Sequence, residues 1–354
     1  MDRIVRLLDE ALASGLGSAA AVSVGDGGRE VFRQVAGSVR RVPDRGPTIG
    51  PRTPFDLASV TKPMATVSIA MVLVDRGDLD LDAPVRRYLP DAATQGSVRQ
   101  LLGHSAGCAA HVEFFRRLRV EQHANPRSVL VERAQREPCD APGVAAVYSD
   151  LGFIQLGAVL ERAGELPLEE LFTSLVAEPL RLVGARYATT EPIDGAVATE
   201  LDDRGLVCGL VHDENCYYSG GVAGHAGLFA DIDDVAVWAA AMVNVAAGEL
   251  VGLFNPDVVR RFFTAAPLAG SPWRLGWDTP STTPGVSQAG DRWPRTGAVG
   301  HTGFTGTSVW LDLPNRRWVV LLTNRVHPTR HGGTADAIKA LRRAVGDAVV
   351  DILS

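Results

Sequence analysis

The spacing of apolar residues changes along the chain, and these changes predict three regions. Near the N-terminus, apolar residues recur at helical spacing, at Ile4, Leu7, Leu8 and Ala11. Two β-prone runs, 19–24 and 30–36, then flank a glycine-rich turn and predict a β-hairpin. From about residue 59 to residue 182 the period is mostly helical, and helices are predicted at 81–88, 98–102, 128–136, 151–163 and 168–180.

Short β-prone runs dominate again beyond this helical stretch. The clearest pair, 308–313 and 318–323, is separated by a four-residue turn and predicts a second hairpin. Apolar spacing over 335–352 predicts a final helix. The segment 265–296 is rich in Pro, Gly, Ser and Trp and is predicted to be a long loop that roofs a cleft.

Sheet segments at both ends of the chain around a helical insertion indicate two lobes. We predict a discontinuous α/β lobe from residues 1–60 and 200–354, and a helical lobe from residues 61–199. The fold class is therefore α/β (α+β), with an antiparallel sheet flanked by helices plus a helical lobe. The two lobes would form one catalytic unit, with the site in the cleft at their seam.

Charge and targeting signals narrow the class of partner. The net charge is −6, and both signs are spread through the 354 residues, without a basic stripe for nucleic acid or a polybasic membrane anchor. The N-terminus lacks the apolar core of a signal peptide, and no apolar run reaches the roughly 18 residues that span a bilayer. We expect a cytoplasmic protein that acts on a small molecule, without a nucleic-acid or membrane partner.

Lysine is so rare in this sequence that its placement is informative. Only two of the 35 Lys and Arg residues are lysines, and one of them, Lys62, follows Ser59 by three positions. An arginine stays charged at any workable pH, whereas a desolvated lysine can give up its proton and act as a base. Residues three apart on a helix share a face, so Ser59 Oγ and Lys62 Nζ are predicted to lie within reach of each other.

A serine and lysine pair requires a proton relay and donors for a developing oxyanion. Tyr148 lies just before the predicted helix at 151–163, where a loop would present its side chain to the cleft. The glycine-rich segment 300–306 opens the second hairpin and would let a substrate lie close to the backbone. These two segments are the candidates for the relay and the donors.

Three motifs together give the chain a family resemblance, namely Ser59-Val-Thr-Lys62, Tyr148-Ser-Asp150 and His301-Thr-Gly303. Their order and spacing resemble the serine β-lactamase and penicillin-binding protein superfamily, especially class C β-lactamases and the related carboxylesterases and D-aminopeptidases. The resemblance spans about residue 55 to the C-terminus. It implies a β-lactamase/transpeptidase-like fold and a covalent acyl-enzyme mechanism without a cofactor.

Carried over to this chain, the resemblance implies a role for each matched residue. Ser59 would be the acylated nucleophile, Lys62 would ease the loss of its proton, and Tyr148 would be the base that later activates water. We expect the charge of Lys62 to lower the pKa of the phenol. The backbone N–H groups of Ser59 and Phe304 would form the oxyanion hole. The substrate-binding residues would be Asp150, His301, Thr302 and Gly303.

Two positions depart from the class C pattern. Asp150 stands where asparagine is usual; a carboxylate can hold Lys62 in its charged form but cannot donate to a substrate amide, and it could instead be the N-cap of the next helix. His301 stands where lysine is common, and a neutral imidazole is a weak site for an anion. Histidine there is typical of relatives that act on esters or D-amino-acid amides.

Two other kinds of site compete with this one. Ser105 lies in a Gly-x-Ser-x-Gly pattern typical of the α/β-hydrolase nucleophile, although the preceding residues 97–102 read as a capped helical turn rather than a buried strand. Several histidines and acids could suggest a metal, but none has His-Glu-x-x-His spacing; they are His104, His212, His225, His301, Asp213 and Glu214. We expect no metal site.

The sequence thus predicts a serine hydrolase that forms an acyl-enzyme on Ser59. Small carboxylic esters are the first substrate class. D-amino-acid peptides or amides come next, followed by weak activity on β-lactams. A non-catalytic ligand-binding protein of the same fold is the alternative of another kind, although Ser59, Lys62 and Tyr148 are all present.

Overall fold

The computed structural model describes residues 1–353, and its main sheet is assembled from both ends of the chain. Ten strands are present: β1 (Ala19–Asp26), β2 (Arg29–Gly37), β3 (Phe55–Asp56), β4 (Arg186–Tyr187), β5 (Ala198–Asp202), β6 (Gly205–Cys208), β7 (Leu228–Ala230), β8 (Ala298–Thr302), β9 (Ser308–Asp312) and β10 (Arg317–Thr323). Five of them form one antiparallel sheet in the order β2-β1-β10-β9-β8. Both predicted hairpins are present. Strands β1 and β10 pair with each other inside this sheet, so the N-terminal and C-terminal parts of the chain are joined in it.

Twelve α-helices surround this sheet and fill the middle of the described chain. They are α1 (Asp2–Ala13), α2 (Ser68–Arg76), α3 (Val98–Leu102), α4 (Phe115–Leu118), α5 (Pro126–Arg136), α6 (Asp150–Gly164), α7 (Leu168–Phe172), α8 (Glu178–Leu180), α9 (Glu214–Tyr218), α10 (Ile232–Ala246), α11 (Pro256–Thr264) and α12 (Thr334–Leu353). The predicted helix at 81–88 is wrong. Only a single 3₁₀ turn, Val85–Arg87, forms there, because the backbone pairs with residues 96–98 instead.

The two faces of the sheet are covered by different helices. On one face, α1 and α12 bury Ile4, Leu8, Val345 and Val349 against the sheet residues Val22 and Leu321. On the other face, α10 packs on β1 and β10 and joins the larger core that includes α2 and α6. This helix-sheet-helix arrangement agrees with the predicted antiparallel sheet flanked by helices.

The helical run that carries the candidate nucleophile lies in the core. It begins with a 3₁₀ turn at Ala58–Val60, continues as a π-helical turn at Lys62–Val67 and ends with α2. The run Ala58–Arg76 has a mean hydropathy of 1.2 and is long enough to span a bilayer, so the expectation that no apolar run has that length was wrong. Because 83% of it is buried inside the protein, we interpret it as a core helix.

Candidate active site

A tightly held turn places Ser59 at the start of this helical run. Strand β3 pairs with β7, and Asp56 at its end accepts hydrogen bonds from the backbone N–H groups of Ala58 (2.8 Å) and His212 (2.7 Å). Ala58 adopts a left-handed conformation with φ of 47°, which is uncommon for a residue with a Cβ atom. The anchored turn leaves the half-buried Ser59 side chain at the wall of a cavity.

Lys62 is fully buried and connects three parts of the site. Its Nζ donates to Ser59 Oγ (3.0 Å), to Asp150 Oδ1 (2.7 Å) and to the carbonyl oxygen of His225 (3.2 Å). The predicted proximity of Ser59 and Lys62 is therefore confirmed. The π-helical turn that begins at Lys62 differs from the regular helix that the spacing suggested, and such turns are frequent at functional sites.

Asp150 keeps Lys62 in its charged form. Burial alone would lower the pKa of Lys62, but the carboxylate of Asp150, followed by Tyr148, reverses that effect and raises it. Burial likewise opposes ionisation of Asp150, yet Lys62 and the nearby His111 hold the pKa of that carboxyl well below its ordinary range. The helix N-cap is Ser149, whose Oγ accepts from the N–H of Gly152, so Asp150 is left to face Lys62.

Tyr148 lies beside the same ammonium group, in a half-buried position. Lys62 Nζ is 4.8 Å from the centre of the Tyr148 ring. Burial raises the pKa of Tyr148, whereas the charge of Lys62 and hydrogen bonds with Lys62 and Ser59 lower it, and the net pKa is raised. The expected effect of Lys62 on the phenol is present, but the expected net lowering was wrong because burial outweighs it.

The segment 303–307 is bound directly to the turn that carries Ser59. Thr305 Oγ1 donates to the carbonyl of Asp56 and Thr307 Oγ1 to that of Leu57, each at 2.8 Å. A Cβ atom on Gly303 would lie 2.5 Å from the Leu57 carbonyl, so only glycine allows this approach. The close contact brings the backbone of Phe304 to the same cavity wall as Ser59.

The two backbone N–H groups expected in the oxyanion hole are both free to bind a ligand. Within residues 1–353, neither the N–H of Ser59 nor that of Phe304 donates to a protein acceptor. The Phe304 ring, which is half exposed, stacks on His212 at 5.6 Å and lies 4.4 Å from the Arg325 guanidinium. These contacts hold the Phe304 ring in place.

His301 is buried, with its ring centre 5.8 Å from that of Tyr148, and remains neutral. Burial, followed by the charge of Lys62, lowers the pKa of His301 to about 3. Its Nδ1 pairs with the Thr302 carbonyl (2.9 Å), so the proton is on Nδ1. In the described part of the chain, Nε2 is buried and has no hydrogen-bond partner. His301, Thr302 and Gly303 all line the cavity.

The cavity has a volume of about 670 Å³ and brings Ser59, Tyr148, Asp150 and Phe304 together. The loop 265–296, which was predicted to cover the cleft, contributes Trp273, Asp278 and Gln288 to the lining of the cavity. Four basic residues also line the cavity, namely Arg325, Arg330, Lys339 and Arg342. Arg325 and Arg342 are both buried.

The competing nucleophile Ser105 does not reach this cavity. It is completely buried, and it follows α3, a short helix with a capping box formed by Ser97 and Gln100, instead of a strand. Its neighbour His104 packs against both Tyr148 and Trp273, with ring-centre distances of 4.8 and 4.5 Å. The structure therefore gives no support to Ser105 as a nucleophile.

The other histidines considered as metal ligands have protein partners. His212 pairs with Glu200 (2.9 Å), and His225 pairs with Asp213 (3.0 Å). Over residues 1–353, no group of three or more His, Cys, Asp or Glu residues is arranged to hold a metal ion. His212 and His225 line the cavity and support its floor.

Several cavity residues were not identified from the sequence. His111 lies 3.4 Å from the second carboxylate oxygen of Asp150, and Arg342 binds the carbonyls of Gly303 and Thr307, both at 2.7 Å. The sequence contained a weak indication for Arg342. It lies on the apolar face of the predicted helix 335–352, and a buried charged side chain needs an ionic or hydrogen-bonding partner. His111 and Asp278 belong to loops and carried none.

Comparisons with known proteins agree with this geometry. The Beta-lactamase family model matches residues 4–343, nearly the whole chain. The chain belongs to the beta-lactamase family. Its curated relatives include the N-acetylmuramyl-L-alanine amidase of Bacillus subtilis (strain 168), which is 29% identical over 92% of this chain and 81% of the relative. A putative D-alanyl-D-alanine carboxypeptidase of Salmonella agona (strain SL483) is 30% identical over 78% of this chain and 70% of its own.

Solved structures show that the fold is also that of the beta-lactamase family. The octameric penicillin-binding protein homologue from Pyrococcus abyssi has a TM-score of 0.73 and 18% identity, over 96% of this chain and 76% of the other. EstCE1, a hydrolase with promiscuous acyltransferase activity, has a TM-score of 0.69 and 23% identity over 98% of both chains. With hydrolases among its relatives, this beta-lactamase family member is a serine hydrolase.

Proposed function

We propose that this enzyme hydrolyses small carboxylic esters through an acyl-enzyme formed on Ser59. The observation that carries the proposal is the hydrogen bond from buried Lys62 to Ser59 Oγ, beside Tyr148 and two free backbone N–H groups. The neutral state of His301 also supports an uncharged acyl group close to the nucleophile.

In the proposed acylation step, Ser59 Oγ attacks the ester carbonyl and its proton passes to the phenolate of Tyr148. Lys62, held as an ammonium by Asp150, stabilises that phenolate without taking the proton itself. The N–H groups of Ser59 and Phe304 bind the oxyanion, and Tyr148 returns the proton to the leaving alkoxide. In deacylation, Tyr148 takes a proton from the attacking water and returns it to Ser59 Oγ as the bond between the acyl carbon and Oγ breaks, which releases the carboxylic acid and restores the phenolate.

Active-site labelling tests this assignment directly. Intact-protein mass spectrometry after incubation with a fluorophosphonate, followed by peptide mapping, is expected to place one label on Ser59. Hydrolysis of p-nitrophenyl acetate and butyrate is expected in the native protein and in Ser105→Ala, but not in Ser59→Ala. A label on Ser105 would overturn the assignment. No label together with no ester turnover would favour a ligand-binding protein.

A second candidate function is hydrolysis of D-amino-acid peptides or amides that carry a free carboxylate. Arg325 and Arg342 are both buried at the cavity, and in the described residues no carboxylate lies within 4.0 Å of either. The names of the curated relatives favour the same class. Release of D-alanine from a D-alanyl-D-alanine peptide, compared with p-nitrophenyl butyrate turnover by the same preparation, distinguishes the two candidates.

A further inference from the structure

A tight hairpin in the cleft roof brings an acid and an aromatic residue together. The N–H of Arg274 donates to the Trp277 carbonyl (2.7 Å), and Thr279 Oγ1 donates to the Pro272 carbonyl (2.8 Å). These two bonds close an irregular hairpin loop in which Trp273 and Asp278 lie between the bonded pairs Arg274–Trp277 and Pro272–Thr279. Both side chains line the cavity that contains Ser59.

The hairpin is docked on the edge of the main sheet. The backbone N–H of Asp278 donates to the Gly300 carbonyl, and the N–H of Gly300 donates to the Asp278 carbonyl, each at 2.9 Å. Gly300 directly precedes His301 in β8. Asp278 is therefore a fixed part of the substrate cleft, one residue along the strand edge from the candidate site.

The carboxylate of Asp278 lacks a protein counter-charge. One of its oxygens accepts from the N–H of Thr279 at 2.8 Å. In residues 1–353, no side-chain nitrogen of Lys, Arg or His lies within 4.0 Å of it. Burial accordingly raises the pKa of Asp278 to about 7. A cation bound beside Asp278 would supply the missing positive charge and stabilise the ionised carboxylate.

The neighbouring Trp273 side chain also favours a cation at this position. Trp273 stacks on Tyr148 at a ring-centre distance of 5.2 Å and lies 6.0 Å from His301. The face of an indole ring attracts organic cations, most strongly when water is excluded. A carboxylate and an indole on the two sides of one hairpin loop are complementary to an ammonium group and not to a second anion.

We propose that Asp278 and Trp273 form a subsite for a primary ammonium group on the substrate. The subsite would select acyl donors with a free amine, such as amino-acid esters or amides, over their N-acylated forms. It deepens the proposed function, because it assumes that the cavity beside Ser59 is the substrate cleft. It does not require the chemical step, so binding can be tested by itself.

Isothermal titration calorimetry on the Ser59→Ala protein isolates this binding from catalysis. The probes, used at pH 7, are D-alaninamide, whose α-amine is mostly protonated at that pH, and N-acetyl-D-alaninamide, which is neutral. D-alaninamide is expected to bind at least about tenfold more tightly, a difference of about 1.4 kcal/mol. In Ser59→Ala/Asp278→Asn the two affinities are expected to become equal, whereas Asp278→Glu is expected to keep part of the preference. Trp273→Leu is expected to weaken D-alaninamide binding alone.

The outcomes separate this inference from the proposed function. Equal binding of both probes, or an undiminished preference after Asp278→Asn, would overturn the ammonium subsite even if Ser59 is labelled and esters are cleaved. A preference that depends on Asp278 would support the subsite even if no ester is turned over. Asp44→Asn, an exposed acid outside the cavity, is the matched control and is expected to leave both affinities unchanged. Circular dichroism confirms that each variant is folded.

Discussion

Asp150 and Lys62 form a pair in which each residue determines the charge of the other. Lys62 is fully buried, and the Asp150 side chain is 19% exposed. Replacing the carboxylate with an amide leaves a buried ammonium without its counter-ion. Removing one partner of such a pair costs about 3–5 kcal/mol, far more than a surface pair is worth.

We therefore expect Asp150→Asn to lower the free energy of unfolding by about 3 kcal/mol at pH 7 in urea denaturation. The pKa of Asp150 is lowered by folding, so its stabilising contribution is present above the ordinary aspartate pKa and is lost as the pH falls below about 4. The difference between native protein and variant should shrink in that acidic range. A pH-independent difference would contradict the pairing.

Tyr148 gives the proposed mechanism its pH dependence. The pKa of Tyr148 is raised above its ordinary value, so the phenolate that accepts the Ser59 proton is scarce at neutral pH. We expect kcat/KM for p-nitrophenyl butyrate to rise about tenfold per pH unit between pH 7 and 9. Ser59→Ala supplies the blank for spontaneous hydrolysis. A plateau below pH 8 would indicate a different base.

Lys62 cannot be replaced by the cation that the rest of the chain uses. Arginine keeps the charge, but its planar guanidinium cannot fill the space of an ammonium that contacts Ser59, Asp150 and a backbone carbonyl. We expect Lys62→Arg to lose at least about 10³-fold in kcat/KM for the ester. Lys339→Arg is the matched control with an exposed side chain and is expected to retain activity.

Site residues could be predicted from the sequence where their contacts are with residues nearby in the chain. Ser59 and Lys62 share one helical turn, and their contact followed from spacing alone. His111 and Asp278 reach the cavity through loops whose paths depend on tertiary packing, which local periodicity does not encode. The raised pKa of Tyr148 was missed for the same reason, because burial is a property of the assembled protein.

At the level of elements, α12 controls the segment that carries the Phe304 N–H. Arg342 projects from this helix and donates to the carbonyls of Gly303 and Thr307, and also to Gln288 of the roof loop (2.6 Å). Burial, followed by the charge of Arg325, lowers the pKa of Arg342, yet it stays charged at neutral pH. One side chain thus holds the backbone on both sides of Phe304, whose N–H we propose as part of the oxyanion hole.

We expect Arg342→Ala to reduce kcat for p-nitrophenyl butyrate by about 10- to 100-fold, with a smaller effect on KM. The reason is that a displaced Phe304 N–H stabilises the transition state less while the substrate still enters. Steady-state kinetics measure this split. Arg343→Ala, which removes the same charge from the next position, is the control. Equal effects on kcat and KM in Arg342→Ala would argue against a positioning role.

The elements themselves were predicted unevenly. The two hairpins and the terminal helix α12 have strong local patterns, and the structure contains all three. The segment 81–88 has helical spacing but pairs with another segment, which shows that tertiary hydrogen bonds override a weak local preference. The division into lobes at residues 60 and 200 stays a prediction.

At the scale of the whole molecule, the first and last helices pack together and carry a residue that reaches the cavity. Helix α1 packs on α12, and the same α12 positions Arg342 at the cavity. Leu8 is completely buried in this contact. We expect Leu8→Ala to lower the free energy of unfolding by about 2–5 kcal/mol in urea denaturation, while kcat at 25 °C stays nearly unchanged. A large loss of kcat without loss of stability would show that α1 acts on the site directly.

The scarcity of lysine has a practical consequence for labelling. Lys62 has no solvent exposure, whereas the Lys339 side chain is 58% exposed at the rim of the cavity. An amine-reactive fluorophore would therefore modify Lys339 and the terminal amine, and a prior block of the terminus would leave a single dye. The native sequence thus already provides a defined attachment point beside the cavity, suited to an optical sensor or an oriented immobilised enzyme.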